Sequence, residues 1–290
     1  MNTKSKLLSV LAIIAVTQAS LADLKPVIPK EVRKNTEIFA ERVIVVKGEG
    51  VAPADRPLSD AQKGLLAKRA AKVVALRELA EVLQGVQVTG ASTVRDAAVA
   101  SDEIRVAVDG MVKGAEVIYE EYDKGDEAAT VFVRMPLDGP GGAIESLKTT
   151  IVKYEATLPA ATVRYAPPAG AVPPPPPPEP VDGLIVDATG TGFKPALVNR
   201  ILAQSGAVIL APSTIAPEIL ARRGCGDYTG DVGKAKAILG NHGARNLLVI
   251  KVVGLQGATD LKVSEQDSLA IFAANKKTRF LEGAKVVFVL

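Results

Sequence analysis

The sequence predicts an α+β protein: two small mixed α/β sandwich-type domains that follow a cleavable leader and are joined by a proline-rich linker. In both halves, short runs of β-branched residues alternate with helical stretches that repeat apolar residues every three or four positions. Of the 290 residues, 48% are hydrophobic, which is enough to build folded cores. Six consecutive prolines, Pro173 to Pro178, separate the halves, because proline lacks the amide donor that helices and sheets use.

Residues 1–22 have the three parts of a secretory signal peptide. Two early lysines provide the basic start, an apolar segment of ten residues runs from Leu7 to Val16, and Ser20-Leu21-Ala22 supplies the small residues that signal peptidase reads. A membrane span needs roughly 20 apolar residues, so cleavage after Ala22 is predicted. No cysteine stands at this junction to carry a lipid. We expect a periplasmic protein, peripheral attachment to the outer membrane being a further option, with no transmembrane span in the mature chain.

The first domain is predicted over residues 38–157, after an extended, proline-broken lead-in at residues 23–37. Its longest element is a helix that begins at a Ser59 capping box and ends at Gly85. The core-facing side chains of this helix are predicted to be Leu66, Ala70, Val73, Leu76, Ala80 and Leu83. The other expected elements are extended chain at 42–46 and 86–89, helices at 101–111 and 144–154, and a hairpin from 115–119 and 130–134.

Three segments of this half resemble one known family. They are the alanine-rich stretch from Ala67 to Val86, the Gly-Met-Val-Lys-Gly-Ala-Glu-Val step at residues 110–117, and the closing stretch from Val131 to Leu137. Over residues 42–137 the chain resembles the Lpp-twenty lipoprotein family, which is related to the flagellar outer-membrane protein P and the N-terminal part of flagellar assembly protein T. The resemblance implies an α+β envelope protein, often lipidated, that forms rings or discs around the flagellar rod and has no catalytic residues to carry over. The absence of the lipid-bearing cysteine departs from the family, so direct membrane anchoring is not implied.

The second domain is predicted over residues 182–290, and residues 158–181 form the proline-rich linker. The linker is expected to act as a semi-rigid spacer, the alternative being a recognition peptide for an SH3-like domain. A strand is expected at 183–188, a hairpin at 198–202 with 207–210, helices at 231–239 and 267–274, and a last strand at 285–290. The nearly continuous apolar run from Leu247 to Val253 predicts a strand buried on both faces.

Composition excludes several classes of function. The formal net charge is only +3, so the chain is not a strongly basic nucleic-acid binder. A single cysteine cannot form an internal disulfide, and one cysteine with one histidine cannot form an ordinary zinc site. Neither a metal nor a cofactor is predicted, and no conventional catalytic constellation is present.

Two residues invite a catalytic interpretation. Cys225 lies between two glycines and could be an exposed nucleophile whose pKa is lowered by two preceding arginines. Because His242 is the only imidazole and no orienting third group is identifiable, an unpaired cysteine beside a turn is the favoured interpretation. A mixed disulfide with a partner stays open in an oxidising compartment. His242 itself is expected at the surface, in a turn that ends a helix.

Two further motifs give weaker indications of a ligand site. Gly190-Thr191-Gly192 after a strand suggests a dinucleotide-binding turn, but Pro195 takes the third glycine position and no acidic residue follows at 207–211. Asp123, Asp126 and Glu127 could bind calcium, yet they lack the spacing of a calcium loop and fit a solvated hairpin tip better.

The candidate partner-contact residues are Lys276, Lys277 and Arg279, the one dense basic cluster of the sequence. They could contact anionic lipid or wall polymer, while a solvated loop is the simpler interpretation.

The function expected from the sequence is that of a non-enzymatic, exported cell-envelope protein of the Lpp-twenty-like class. It would act as a structural or assembly component, with a ring or disc accessory of the flagellar basal body as the finer hypothesis. Its expected partners are further copies of itself or other envelope proteins, flagellar basal-body components among them. The alternative is a periplasmic binding module for a small ligand or cell-wall glycan, and a hydrolase using Cys225 is the third and least favoured class.

Overall fold

Residues 27–55, 57–159, 163–175 and 177–290 are described by a computed structural model, and its mixture of helices and strands confirms the predicted α+β class. The predicted leader at residues 1–22 and its cleavage site lie outside these residues. Within the described ranges, no helix combines the length and the apolar character that crossing a bilayer requires.

The first half is an antiparallel three-stranded sheet packed against one long helix. Its elements are α1 (Asn35–Glu41), β1 (Val43–Val51), α2 (Asp60–Gly85), β2 (Gln87–Thr89), β3 (Ser92–Thr93), α3 (Val94–Ala100), α4 (Asp102–Lys113), β4 (Glu116–Asp123), β5 (Ala128–Pro136), α5 (Ala143–Ser146) and α6 (Lys148–Thr157). The sheet order is β1-β5-β4, so the predicted hairpin is confirmed as β4 and β5. The predicted capping box is also present, since the Ser59 side chain accepts a hydrogen bond from the Gln62 amide.

The buried face of α2 differs from the predicted one. Of the six predicted core positions only Leu83 is buried, and Val73 is 47% exposed. The face that packs on the sheet is rotated, and it carries small residues along its first four turns and leucines after them: Gly64, Ala67, Ala71, Ala75, Leu79 and Leu83. Two glycines of β1, Gly48 and Gly50, let the helix backbone approach the strand closely. Side chains as large as leucine do not fit at the closest approach, so alanine is the core residue there.

The second half combines a parallel sheet with a mixed sheet. Its elements are β6 (Gly183–Asp187), β7 (Arg200–Ala203), β8 (Val208–Leu210), α7 (Pro217–Arg223), β9 (Asp227–Thr229), α8 (Val232–Asn241), β10 (Leu247–Lys251), β11 (Gly254–Gln256), β12 (Asp260–Val263), α9 (Glu265–Thr278) and β13 (Val286–Val289). The parallel sheet has the order β10-β6-β13-β9, and the mixed sheet has the order β11-β12-β7-β8. Antiparallel pairing of β7 with β8 confirms the predicted hairpin.

The prediction that the apolar run at Leu247–Val253 is buried on both faces is wrong. Among the residues that the structure describes, strand β10 lies at the edge of the parallel sheet and pairs only with β6. Within the strand only Ile250 is buried, while Val249 is 49% exposed. A continuous apolar run shows that a strand is hydrophobic, but it does not show whether the strand is central or at an edge.

The two halves pack against each other through one continuous apolar core that contains residues of both. Backbone hydrogen bonds also cross between them: the Leu197 amide donates to the Gln87 carbonyl and the Val198 amide to the Val88 carbonyl, each at 2.9 Å. The proline-rich segment therefore does not hold the halves apart, as a spacer would. Its first residues pair with the second half instead, because the Tyr165 amide donates a hydrogen bond of 2.9 Å to the Val208 carbonyl of β8.

Candidate functional site

An arginine clamp joins the two halves. Arg42 follows α1 in a left-handed conformation (φ 59°) that directs its side chain into the junction. Its Nε donates to Asp138 Oδ2 of the first half at 3.0 Å, and its Nη atoms donate to the carbonyls of Arg223 (2.8 Å) and Gly226 (3.2 Å) of the second half. One guanidinium thus satisfies acceptors on both sides, as its planar fork of donors allows.

Aromatic rings fill the core behind this clamp. The Phe39 ring of the first half meets the Tyr228 ring edge to face at a centroid distance of 5.2 Å, and Tyr228 stacks on Phe288 at 5.2 Å. Tyr228 Oη donates to Asn199 Oδ1 at 2.5 Å, and burial raises the pKa of Tyr228 well above its usual value. The phenol therefore stays neutral and serves as a hydrogen-bond donor in the core.

The structure places Cys225 in this same junction, where it cannot act as an exposed nucleophile. It is a free cysteine, 2% exposed, and its Sγ donates to the Leu197 carbonyl at 3.6 Å. Burial raises the pKa of the thiol to about 12, so the thiolate is scarce at neutral pH. The same burial leaves no access for a mixed disulfide with a partner.

His242 is half-buried beyond the end of α8 and is tied to an acidic neighbour. Its Nε2 lies 3.1 Å from Asp227 Oδ2, and Arg223 lies 2.7 Å from the same oxygen. Burial alone would raise the pKa of Asp227, but the hydrogen bond from His242 and the charges of Arg42 and Arg223 outweigh it and lower that pKa. The histidine is therefore a structural partner of Asp227 and is less exposed than predicted.

We expect Cys225 to resist thiol reagents in the folded protein. Ellman's reagent should label less than a tenth of the protein in an hour at neutral pH, because attack requires an accessible thiolate. In guanidinium chloride the one thiol should react fully within minutes. Rapid stoichiometric labelling of the folded protein would show that the junction opens and that Cys225 is available for chemistry.

A groove lies at the opposite side of the second half, between the proline-rich segment and α9 with β10. It has a volume of about 490 Å³. Aliphatic side chains form most of its lining: Pro173, Pro174, Pro175, Pro177, Pro180, Val181, Leu247, Leu248, Ala270, Ala273 and Ala274. Glu179 and Lys277 are the charged residues that line it. Sequence reasoning missed this groove, although Ala270, Ala273, Ala274 and Lys277 repeat at helical spacing on one face of α9.

The second half resembles a domain of a known protein. Residues 183–290 match a family model described as Treponema pallidum Tp0624, second domain. The match begins one residue after the predicted start of the second domain and does not reach the region that resembles the Lpp-twenty family, so that resemblance stays a prediction. No curated protein matches the chain.

In this Tp0624-like half, the structure divides the predicted basic cluster. Lys276 and Lys277 lie exposed in the last turn of α9, and no carboxylate within the described residues forms an ion pair with either lysine. Arg279 follows the helix in a left-handed conformation and pairs with Glu282. Of the three residues of the cluster, only Lys276 and Lys277 are therefore available to bind a ligand. Lys277 lines the groove.

The remaining sequence motifs have structural roles. Gly190 and Gly192 both have positive φ, 72° and 79°, and turns rather than a helix follow β6, so the dinucleotide fingerprint is incomplete. At the β4–β5 hairpin tip, Asp123 Oδ1 accepts from the Gly125 amide at 2.6 Å, and Glu127 pairs with a lysine of α2. No group of three or more His, Cys, Asp or Glu side chains in the described part of the chain is arranged to hold a metal ion.

Proposed function

We propose that the chain is a non-enzymatic, exported cell-envelope protein that acts as a structural or assembly component in the periplasm. The observation that supports this most directly is the junction between the halves. There the two residues with reactive side chains, Cys225 and Tyr228, are buried and hydrogen-bonded within the second half. The Tyr228 ring also packs on Phe39 of the first half. The match of the second half to a Treponema pallidum protein domain is consistent with an exported, lipoprotein-like protein.

The finer proposal is assembly with further copies of the chain or with other envelope proteins, including a ring or disc accessory of the flagellar basal body. A body held together by a shared core and the Arg42 clamp presents its surfaces in a fixed relation, which a repeated contact in a ring or disc requires. The flagellar assignment rests on the resemblance of residues 42–137 alone.

Size-exclusion chromatography with light scattering on the mature chain, residues 23–290, tests the assembly proposal. The expected result is an oligomer whose mass grows with protein concentration until a closed assembly forms. A strict monomer over the whole accessible range, combined with no binding to purified envelope fractions, would contradict it.

Cell fractionation tests the export proposal separately. The expected product is a periplasmic or outer-membrane-associated chain whose first residue, by mass spectrometry, is Asp23. An intact chain that retains Met1 and stays in the cytosol would contradict export whatever its oligomeric state.

One observation favours the alternative function, a periplasmic binding module. The groove beside α9 is large enough for a small molecule, since small-molecule sites occupy roughly 300–1,000 Å³. Its lining of proline, leucine and alanine does not suit a glycan, because sugar recognition uses aromatic faces and converging polar groups. If the chain binds a small molecule, the groove therefore favours an apolar one.

A further inference from the structure

The proline-rich segment forms a strap that is anchored near both ends of one helix. Tyr165 Oη donates to Glu265 Oε1 at 2.6 Å beside the start of α9, and the Tyr165 ring meets the Phe272 ring edge to face at 6.1 Å. At the other end of α9, Thr278 Oγ1 donates to the Val181 carbonyl at 2.7 Å, and Val181 is buried. We call residues 165–175 and 177–181 the strap, and the groove is the space between the strap and α9 with β10.

The strap is much longer than the helix that it spans. From Glu265 to Thr278, α9 covers about 20 Å at helical rise. A polyproline II chain with as many residues as the strap would cover about 50 Å. A turn takes up part of the excess, since the Ala171 amide donates to the Pro168 carbonyl at 3.0 Å and Gly170 has a φ of 78°. The remaining excess leaves room between the strap and α9, where the groove lies.

The chemistry of the groove walls selects an aliphatic ligand. Ala270, Ala273 and Ala274 present only methyl groups from α9, and Leu247 and Leu248 contribute branched side chains from β10. The strap contributes prolines, which have no amide hydrogen and so cannot donate to a polar ligand. A ligand gains from burying apolar surface here and finds few hydrogen bonds to replace those it made with water.

The anchors of the strap and the exposed lysines further restrict the class of ligand that fits. A strap held at both ends admits a slender chain more readily than a folded surface, which disfavours a second copy of this protein as the occupant. Lys277 lies on the groove with Lys276 beside it in the same helical turn. Glu179 on the strap repels an anion, so an anionic group is favoured on the α9 side.

We propose that this groove binds the hydrocarbon chain of a fatty acid, with the carboxylate of the ligand at Lys277. The site adds a ligand to the protein and goes beyond the proposed assembly function, which requires no small molecule. If the protein does not bind fatty acid, the light-scattering evidence for assembly is unaffected. If the protein does not assemble, fatty-acid binding is equally unaffected.

Fluorescence titration of the mature chain with cis-parinaric acid, a fluorescent long-chain fatty acid, tests the proposal. Saturable binding is expected, and displacement by unlabelled palmitate should restore the free signal. Ala273→Trp should weaken binding about tenfold or more, because the indole would occupy the groove. The thermal unfolding midpoint of this variant, measured in parallel, shows whether the fold is retained.

Charge variants test the same proposal if Ala273→Trp does not fold. Lys277→Ala should weaken palmitate binding about fivefold and leave binding of the matching uncharged alcohol unchanged. Lys236→Ala, at an exposed lysine on α8 away from the groove, is the matched control and should bind palmitate like the wild type. No saturable binding by the wild type, equal loss in both lysine variants, or full affinity in a folded Ala273→Trp would overturn the proposal.

Discussion

Gly48→Ala is expected to lower the free energy of unfolding by about 3 kcal/mol or more. A Cβ at this position would overlap the Ala71 carbonyl oxygen and the Ala75 amide nitrogen and would lie 2.8 Å from Ala75 Cα. These are backbone atoms of α2, so no side-chain rotamer change can relieve the overlap. The helix would have to move off β1, and contacts along the whole of its buried face would loosen. Guanidinium unfolding followed by circular dichroism measures the loss.

Gly110→Ala is the matched control because it adds the same methyl group where there is space. No heavy atom lies within 4 Å of a Cβ built at Gly110, which is an exposed position inside α4. This variant should be more stable than the wild type by about 1 kcal/mol, since alanine favours helix over glycine by that amount. If the two variants change stability alike, the close approach of α2 to β1 is not a determinant of stability.

A double variant separates backbone overlap from side-chain overlap. Adding Ala71→Gly to Gly48→Ala removes the Ala71 methyl group but leaves the Ala71 carbonyl oxygen that the new Cβ meets. The double variant should therefore be no more stable than Gly48→Ala alone. Recovery of stability would show that the side chain of Ala71, rather than its backbone, sets the limit.

The helix α2 illustrates how far the sequence could predict the fold. Its start at the Ser59 capping box and its end at Gly85 depend on local hydrogen bonds and chain stiffness, which the sequence encodes directly. Its buried face depends on what packs against it. A reading based on hydrophobicity gives weight to leucine and valine, whereas Gly48 and Gly50 of β1 demand alanine at the contact. The pairing of two glycines in one strand with an alanine ladder in the next helix is the signal that could have identified the face.

The candidate site was less predictable because it depends on long-range contacts. Cys225, flanked by glycines, looks exposed in the sequence, yet residues of both halves bury it. The proline-rich strap looks like a spacer, and the side-chain hydrogen bonds of Tyr165 and Thr278 that tie it to α9 join residues about a hundred positions apart. Local pattern carries no information on such pairings. The alanine spacing of α9 marks one wall of the groove, but nothing local indicates that the strap forms the other.

Asp260→Ala should cost about 3–5 kcal/mol of folding free energy, because it leaves a buried charge without its partner. Asp260 and Arg200 are paired across β12 and β7, and Arg200 Nη2 lies 2.5 Å from Asp260 Oδ2. The Arg200 side chain is fully buried, and that of Asp260 is 7% exposed. Without the carboxylate, the one partner left to the guanidinium among the described residues is the Pro159 carbonyl, which accepts from Nη1 at 2.9 Å. Denaturant unfolding of residues 23–290 measures the loss.

Glu116→Ala provides the control, since Glu116 and Arg134 are also cross-strand partners but lie at the surface, on antiparallel β4 and β5 rather than on parallel strands such as β12 and β7. Their contact distance is 2.6 Å and both side chains are about half exposed or more, so the loss should stay below about 1 kcal/mol. The two variants compare a buried cross-strand pair of arginine and carboxylate with an exposed one. Equal losses would show that water reaches the Arg200–Asp260 pair.

Replacing both members of the buried pair should recover much of the stability lost in Asp260→Ala. Within the described residues, Arg200 Nε and Asp260 Oδ1 have no hydrogen-bond partner, so the native pair is itself incompletely satisfied. Arg200→Met with Asp260→Leu removes both charges and keeps the volume filled, and such exchanges are often neutral or stabilising. A double variant as unstable as Asp260→Ala would mean that the hydrogen bond from Arg200 to Pro159, rather than charge compensation, makes the residue necessary. In that case Arg200 serves mainly to dock the end of the first half onto β7.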